Sequence, residues 1–285
     1  MTSRDRQRGF ALVSALWAAM MLALTAASIM VMARSDVRTS RIRATVAQGA
    51  ALADAGINAA IYRLLARDPA VHPPLDGTPF VIDIEGRTIT LRVQDEAGKI
   101  DLNVAPASLL LRLLAATGID PDVAQAETDR ILDWREGGDL RRLSGAKQED
   151  YSLAGYAYGP RGGLFLSIDE LRLVMGMTPE LYERLKPAIT VVSQLGGIDP
   201  AVAPAEVLLA LPGIDAETAA RIIAMRHAQE DSNPEPEALG LLTDLTGHAF
   251  TIQANLIEHG RPVSRKASIR LSGDLRQPVW IYGWE

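Results

Sequence analysis

Hydrophobic and polar positions divide this chain into stretches of different period. Phe10 to Ala33 (FALVSALWAAMMLALTAASIMVMA) carries no charged residue. A helix of that length crosses the roughly 30 Å hydrocarbon layer of a bilayer with its backbone groups bonded internally. Beyond it, Ile42, Val46, Ala50, Ala53, Ile57, Ile61 and Leu64 recur in steps of four, four, three, four, four and three. That spacing marks one helix face. No breaker separates the two stretches before Asp68-Pro69. Together they predict one helix from Phe10 to about Arg67, on the order of 85 Å long at 1.5 Å per residue.

The period then changes to two. Phe80-Val81-Ile82-Asp83-Ile84 and Thr88 to Val93 alternate around Glu85-Gly86-Arg87, which predicts a hairpin. A third strand is expected around Lys99 to Asn103. Near the other end, Phe250 to Ile257, Ala267 to Leu271 and Val279 to Tyr282 have strand composition, with Gly260 and Gly273 in the turns. Between these groups, residues 104–247 have helical character and contain an internal echo. Leu102-Asn103-Val104-Ala105-Pro106-Ala107-Ser108-Leu109-Leu110 is answered by Ile198 to Leu208, and a glycine turn follows each (Gly118 and Gly213). Each turn leads into a helix with a basic end, at Arg135 and at Arg226. A further unit runs from Phe165 to Pro187, where Ser167 and Glu170 predict a capping box. The fold class is therefore α+β: a long N-terminal helix, a small antiparallel sheet, and a large all-α region inserted between its strands.

Composition narrows the function. The 285 residues are 48 % apolar and carry a formal charge of -6, so a packed core is expected and a general affinity for phosphate backbones is not. The absence of cysteine removes thiol nucleophiles, cysteine metal sites and disulfides. The four histidines, His72, His227, His248 and His259, are too dispersed for a helical metal pair. There is no Gly-x-Ser-x-Gly, His-Glu-x-x-His, P-loop or dinucleotide fingerprint. The chain reads as an assembly or binding protein, not an enzyme.

Its start is more specific. Arg4, Arg6 and Arg8 precede Gly9 and the apolar run. A secretory signal would share this order, with Thr25 and Ala27 as small residues near a cut. However, the apolar run continues through Ile29, Met30, Val31 and Met32 into the second helical stretch, as in a retained anchor. Arg34, Arg38, Arg41 and Arg43 balance the leading arginines, so charge does not set the orientation.

Arg8-Gly9-Phe10-Ala11-Leu12 resembles the processing site of type IV pilins and type II secretion pseudopilins. The resemblance implies cleavage after Gly9 by a prepilin peptidase and methylation of Phe10. Most members have a glutamate at the fifth mature position; Ser14 stands there, as in the K-type minor pseudopilins. The helical region is similar to the two SAM-like units of that family, through Asp95-Glu96-Ala97-Gly98-Lys99-Ile100-Asp101-Leu102-Asn103, Asp133-Trp134-Arg135, Gly145-Ala146, Glu170-Leu171-Arg172-Leu173-Val174 and Gly176-Met177-Thr178. The implied organisation is a leader over 1–9 and a transmembrane half-helix over 10–33. An amphipathic helix and the first strands of a pilin-like domain follow over 34–103, the helical insertion over 104–247, and the last strands over 248–285.

The resemblance also implies a place. By that likeness the chain is expected to be a single-pass protein of the bacterial inner membrane with its soluble part in the periplasm, a tip subunit that initiates and caps the type II secretion pseudopilus. Its expected partners are I- and J-type minor pseudopilins, the major pseudopilin, the prepilin peptidase and the inner-membrane secretion platform, with no nucleic acid. The family further implies calcium bound by acids in the loop after the Asp-Trp pair; Asp133 and Asp139, with Glu136, could supply oxygens around Gly137-Gly138, and Glu149 and Asp150 follow Gly145-Ala146. Yet Lys147 stands where an acid is common, and Arg141 and Arg142 lie within the loop, so a salt-bridged loop is the alternative. A DNA-uptake minor pilin, or a helix-hairpin-helix DNA-binding protein, is the other reading. Leu211-Pro212-Gly213-Ile214-Asp215 resembles that motif's turn, but Asp215 replaces its second glycine and would repel phosphate.

Overall fold

The computed structural model describes residues 3–231 and 245–285, without the side chains of 3–13, 31, 33–38, 41, 69 and 227–231. Helix α1 spans Ser3–Leu64. The chain then forms strands β1 (Asp76–Ile84), β2 (Arg87–Asp95) and β3 (Ile100–Asp101). Helices α2 (Ala107–Ala116), α3 (Pro121–Arg135), α4 (Gln148–Leu153) and α5 (Pro179–Leu185) follow. Strand β4 (Ile189–Thr190) precedes helices α6 (Ala205–Leu209) and α7 (Ala216–Asp231). Strands β5 (Ala249–Glu258), β6 (Arg261–Leu271) and β7 (Val279–Trp284) close the chain. The fold is thus a mixture of helices and antiparallel sheet.

Two compact units make up the chain. One is residues 1–52 with 257–263, and the other is 53–256 with 264–285. In the first, Gly49 is buried, and a Cβ there would lie 3.3 Å from Glu258 Cβ and collide with Val263. Only a glycine permits that approach.

In the second unit the main sheet has the order β1-β2-β5-β6-β7. The expected hairpin is present: β1 pairs antiparallel with β2, with Ile82 opposite Ile89. Glu85 and Gly86 both take positive φ, 54° and 73°, as a two-residue hairpin turn requires. Strand β2 buries Ile89, Leu91 and Val93 on one face, the alternation that period two dictates. The last turns of α1 cover this face. Ala53, Ile57, Ala60 and Leu64 are buried, and a Cβ on Gly56 would lie 3.1 Å from Ile89 and 3.3 Å from Leu91. Asp54 fastens the far strands by accepting hydrogen bonds from Arg265 Nε at 3.0 Å and Trp284 Nε1 at 2.7 Å.

The predicted face of α1 is only half realised. Ile42 and Val46 are 36 % and 50 % exposed; burial begins at the Gly49–Ala53 turn. The third expected strand also differs. Ile100 and Asp101 leave the main sheet and pair in parallel with Ile189 and Thr190. The region from 104 onward therefore contains a strand and is not helical throughout. Its short β3–β4 ladder brings together positions 89 residues apart, a partner choice that no local pattern carries. The Ser167 cap starts a 3-10 turn over Ile168–Leu173 instead of an α-helix. Its hydroxyl accepts from Asp169 N at 3.0 Å, while Glu170 reaches back to Leu166 N at 3.2 Å.

A second core fills the helical region. Leu110, Leu114, Ile131, Trp134, Tyr151, Leu171, Tyr182 and Val207 are among its buried members. Trp134 lies 6.1 Å from both Phe165 and Tyr151, centroid to centroid, a range in which ring pairs attract beyond their area. Burial pushes the Tyr151 hydroxyl up to about 12, and it accepts a hydrogen bond from Met175 N at 2.8 Å.

Candidate functional site

The internal echo is structural, and its register is Asp101-x-x-Val104-Ala105-Pro106 against Asp199-x-x-Val202-Ala203-Pro204. Asp101 Oδ1 accepts from Asn103 N at 2.8 Å, and Asp199 Oδ1 from Ala201 N at 2.8 Å. Pro106 and Pro204 are the N-caps of α2 and α6, positions where the carbonyl is needed and the next helix turn begins. Gly118 and Gly213 turn the chain at φ 79° and 74°. The helices that follow then return an arginine to the start of their own unit. Arg135 donates to the Leu102 and Ala105 carbonyls at 2.6 and 2.9 Å. Arg226 donates to the Ala203 carbonyl at 2.8 Å and to the Pro200 carbonyl. Burial pulls both guanidinium pKa values down, yet each remains the cation that closes its unit. In sequence both arginines read only as basic helix ends. The Asp-x-x-Val-Ala-Pro register was the signal that could have identified the clamp.

The second expected site lies just beyond Arg135. Asp133 is fully buried at the end of α3, and Asp139 is exposed in the loop that follows. Arg142 Nη1 donates to Asp133 Oδ1 at 2.8 Å, and Arg142 N to Asp133 Oδ2 at 3.1 Å. Among the described residues, no group of three or more His, Cys, Asp or Glu side chains is placed to hold a metal ion. The calcium reading of Asp133 and Asp139 therefore meets a loop whose buried acid already has a cation. Glu149 and Asp150 lie in the first turn of α4, and Asp150 accepts from Arg141 Nη1 and Lys147 N, both at 2.8 Å.

The helix-hairpin-helix-like turn is also occupied. Asp215 Oδ1 accepts from Thr218 N at 2.8 Å, and that bond lowers the Asp215 pKa. A carboxylate thus sits where a phosphate would meet the N-terminus of α7, which does not favour the nucleic-acid reading.

The remaining candidate is the surface of α1. Gly9 and Phe10 lie within its helical backbone, and their side chains are outside those described. Leu16, Trp17, Met20, Met21, Leu22 and Leu24 are all exposed, Leu22 to 70 %. These positions face all round the helix, so no single face is reserved for water. No helix among the described residues is long and apolar enough to cross a membrane. The expected span Phe10–Ala33 falls partly outside the described side chains, of which Ser14–Met30 and Met32 belong to it.

A family model described as Type II secretion system (T2SS), protein K matches residues 91–194. Type II secretion system protein K of Pseudomonas aeruginosa is 27 % identical over 248 residues, 78 % of this chain and 73 % of that protein. The protein of the same description from Klebsiella pneumoniae is 32 % identical over 101 residues, 35 % of this chain and 30 % of that one. The fold is similar to the crystal structure of the GspK-GspI-GspJ complex from the enterotoxigenic Escherichia coli Type 2 Secretion System. The TM-score is 0.59 at 14 % identity, over 87 % of this chain and 98 % of that one. The matched segment takes in the first repeat unit with its arginine clamp, and the shared fold extends well beyond it. The chain is similar to type II secretion system protein K along most of its length, and these matches together support a minor pseudopilin of that system.

Proposed function

We propose that this minor pseudopilin stands at the tip of the type II secretion pseudopilus, where it initiates and caps assembly. Residues 10–33 anchor it as a single span in the inner membrane, with the soluble part in the periplasm. Prepilin peptidase cuts after Gly9, and Phe10 becomes the methylated N-terminus. The observation that carries this reading is the exposed apolar surface around α1, from Leu16 to Leu24. Such a surface is stable only against lipid or other apolar helices. Before assembly the lipid supplies that environment, and in the filament the helices of neighbouring subunits do.

The solved complex with GspI and GspJ supports I- and J-type minor pseudopilins as the immediate partners. The major pseudopilin and the inner-membrane platform then extend and drive the filament below. Ser14 offers no carboxylate to the N-terminus of a subunit above it, which suits a terminal position. Residues 104–247, read as two SAM-like units, add bulk that disfavours a further subunit there.

Intact mass and N-terminal sequencing of protein from its host's membranes test the processing step. A start at Phe10 with one added methyl group is expected; a start at Ser28 or an uncut N-terminus overturns it. Removal of residues 104–247 tests the cap, and unchanged filament length and unchanged tip-complex formation would sink that part of the proposal.

A further inference from the structure

We infer that Arg142 and Lys147 hold the place of a divalent cation in the loop between α3 and α4, so this loop keeps its shape without calcium. A calcium site presents carboxylate and carbonyl oxygens turned towards one point. Here such oxygens are present at the end of α3, and the chain's own cations take them. Arg142 Nη1 is on Asp133 Oδ1 at 2.8 Å, and Arg142 Nη2 is on both Glu136 oxygens at 2.8 and 2.7 Å. Lys147 Nζ donates to the backbone carbonyls of Asp133 and Glu136, at 3.0 and 2.9 Å. One guanidinium and one ammonium therefore bind the side chains and the carbonyls of the same two residues.

The chemistry of each group matches its position. A guanidinium presents several donors in a planar fork, which lets one arginine serve two carboxylates. An ammonium is a compact charge with three donors, suited to the unpaired carbonyls and negative end of a helix. Burial opposes the charge on Arg142, but its bonds to Glu136 and Asp133 outweigh this and raise its pKa. The formal charges balance, with two negative from Asp133 and Glu136 and two positive from Arg142 and Lys147. A divalent ion among these oxygens would add two uncompensated charges beside the fully buried Asp133, at a large desolvation cost.

The rest of the loop is fastened without a metal as well. Asp129 Oδ2 accepts from Ser144 N at 3.1 Å, and Gly145 packs so closely that a Cβ there would collide with the Asp133 carboxylate. Asp139, the other expected ligand, stays exposed.

This inference is independent of the tip assignment and has its own test. The full chain in detergent is heated, and separately digested with a protease, in excess chelator and in millimolar calcium. The expected result is the same Tm and the same cleavage rate within residues 136–147 in both. A site filled well above its Kd would instead raise Tm by several degrees, and that outcome overturns the proposal. Lys147→Met should then increase loop cleavage about tenfold in either buffer, the population change that loss of a charge-assisted hydrogen-bond pair produces. Cleavage of that variant at the wild-type rate would also overturn it.

Discussion

The two units of the internal repeat begin alike and end differently. Each starts with an aspartate turn and a proline-capped helix, and each is closed by an arginine on its own first carbonyls. One position before that arginine they part. In the first unit the residue is Trp134, 3 % exposed and stacked on Phe165; in the second it is Met225, 54 % exposed. The clamp belongs to the unit, whereas the aromatic core belongs to what the chain adds after it. In the first unit that addition is the loop, α4 and the turn that carries Tyr151 and Phe165 into contact with Trp134.

The largest effect that separates the two units is therefore expected at this position. Trp134→Ala should cost about 3–5 kcal/mol, the range for an aromatic removed from a packed core. Met225→Ala should stay within about 0.5 kcal/mol, as at an ordinary exposed site. Urea midpoints of the full chain in detergent compare them directly. Equal losses would mean that Met225 is covered by something the isolated chain retains.

The clamps should behave alike, and their loss should cost less. Arg135→Met and Arg226→Met each remove a guanidinium from two backbone carbonyls. Each is expected to cost about 1.5–3 kcal/mol, as hydrogen bonds to charged groups do. Lysine at either position should recover only part of the loss, because its single nitrogen does not reproduce the spacing of the two guanidinium nitrogens, each of which serves one carbonyl. A loss confined to Arg135 would show that only the first unit depends on its closure.

How much of this was visible in the sequence follows from how local each feature is. The β1–β2 hairpin needs only alternation and the Glu85-Gly86 turn, and both can be read in the chain. The last turns of α1 were legible too, because Ala53, Ile57 and Leu64 lie on the four-and-three spacing and are buried; the close approach at Gly56 was not. The β3–β4 ladder was not. Two residues per strand leave no period to read, and its register depends on helices packed between positions 101 and 189. Nor could Ile42 and Val46 be told apart from Ile57, since all lie on one spacing and burial depends on what lies opposite. The repeat was visible as an echo; its arginine clamp was not, because a basic helix end has many ordinary uses. Lys147 and Arg142 were visible as cations in an acidic loop. Only the fold brings them onto the same two residues.

The second helix of each unit begins on an aspartate, Asp120 or Asp215. Asp120 Oδ1 accepts from Asp122 N at 2.8 Å, and Asp120→Ala should cost about 1 kcal/mol, the usual value of an N-cap.

Asp215 makes the smaller and more informative case, because its pKa is shifted. The hydrogen bond from Thr218 N lowers it, so the folded chain holds the ionised form more strongly than the unfolded chain does. Its contribution is then complete above the ordinary aspartate range, near about pH 4, and is lost as pH falls through the lower folded value. Asp215→Ala should accordingly lower Tm slightly at neutral pH, and the gap to wild type should close on acidification below that range. Asn, which also caps but does not ionise, should keep most of the neutral-pH Tm and remove the pH dependence. A gap that persists unchanged into acid would mean that the carboxylate acts by packing and not by its charge. The α7 turn would then owe its shape to Gly213 and Pro212 rather than to its cap.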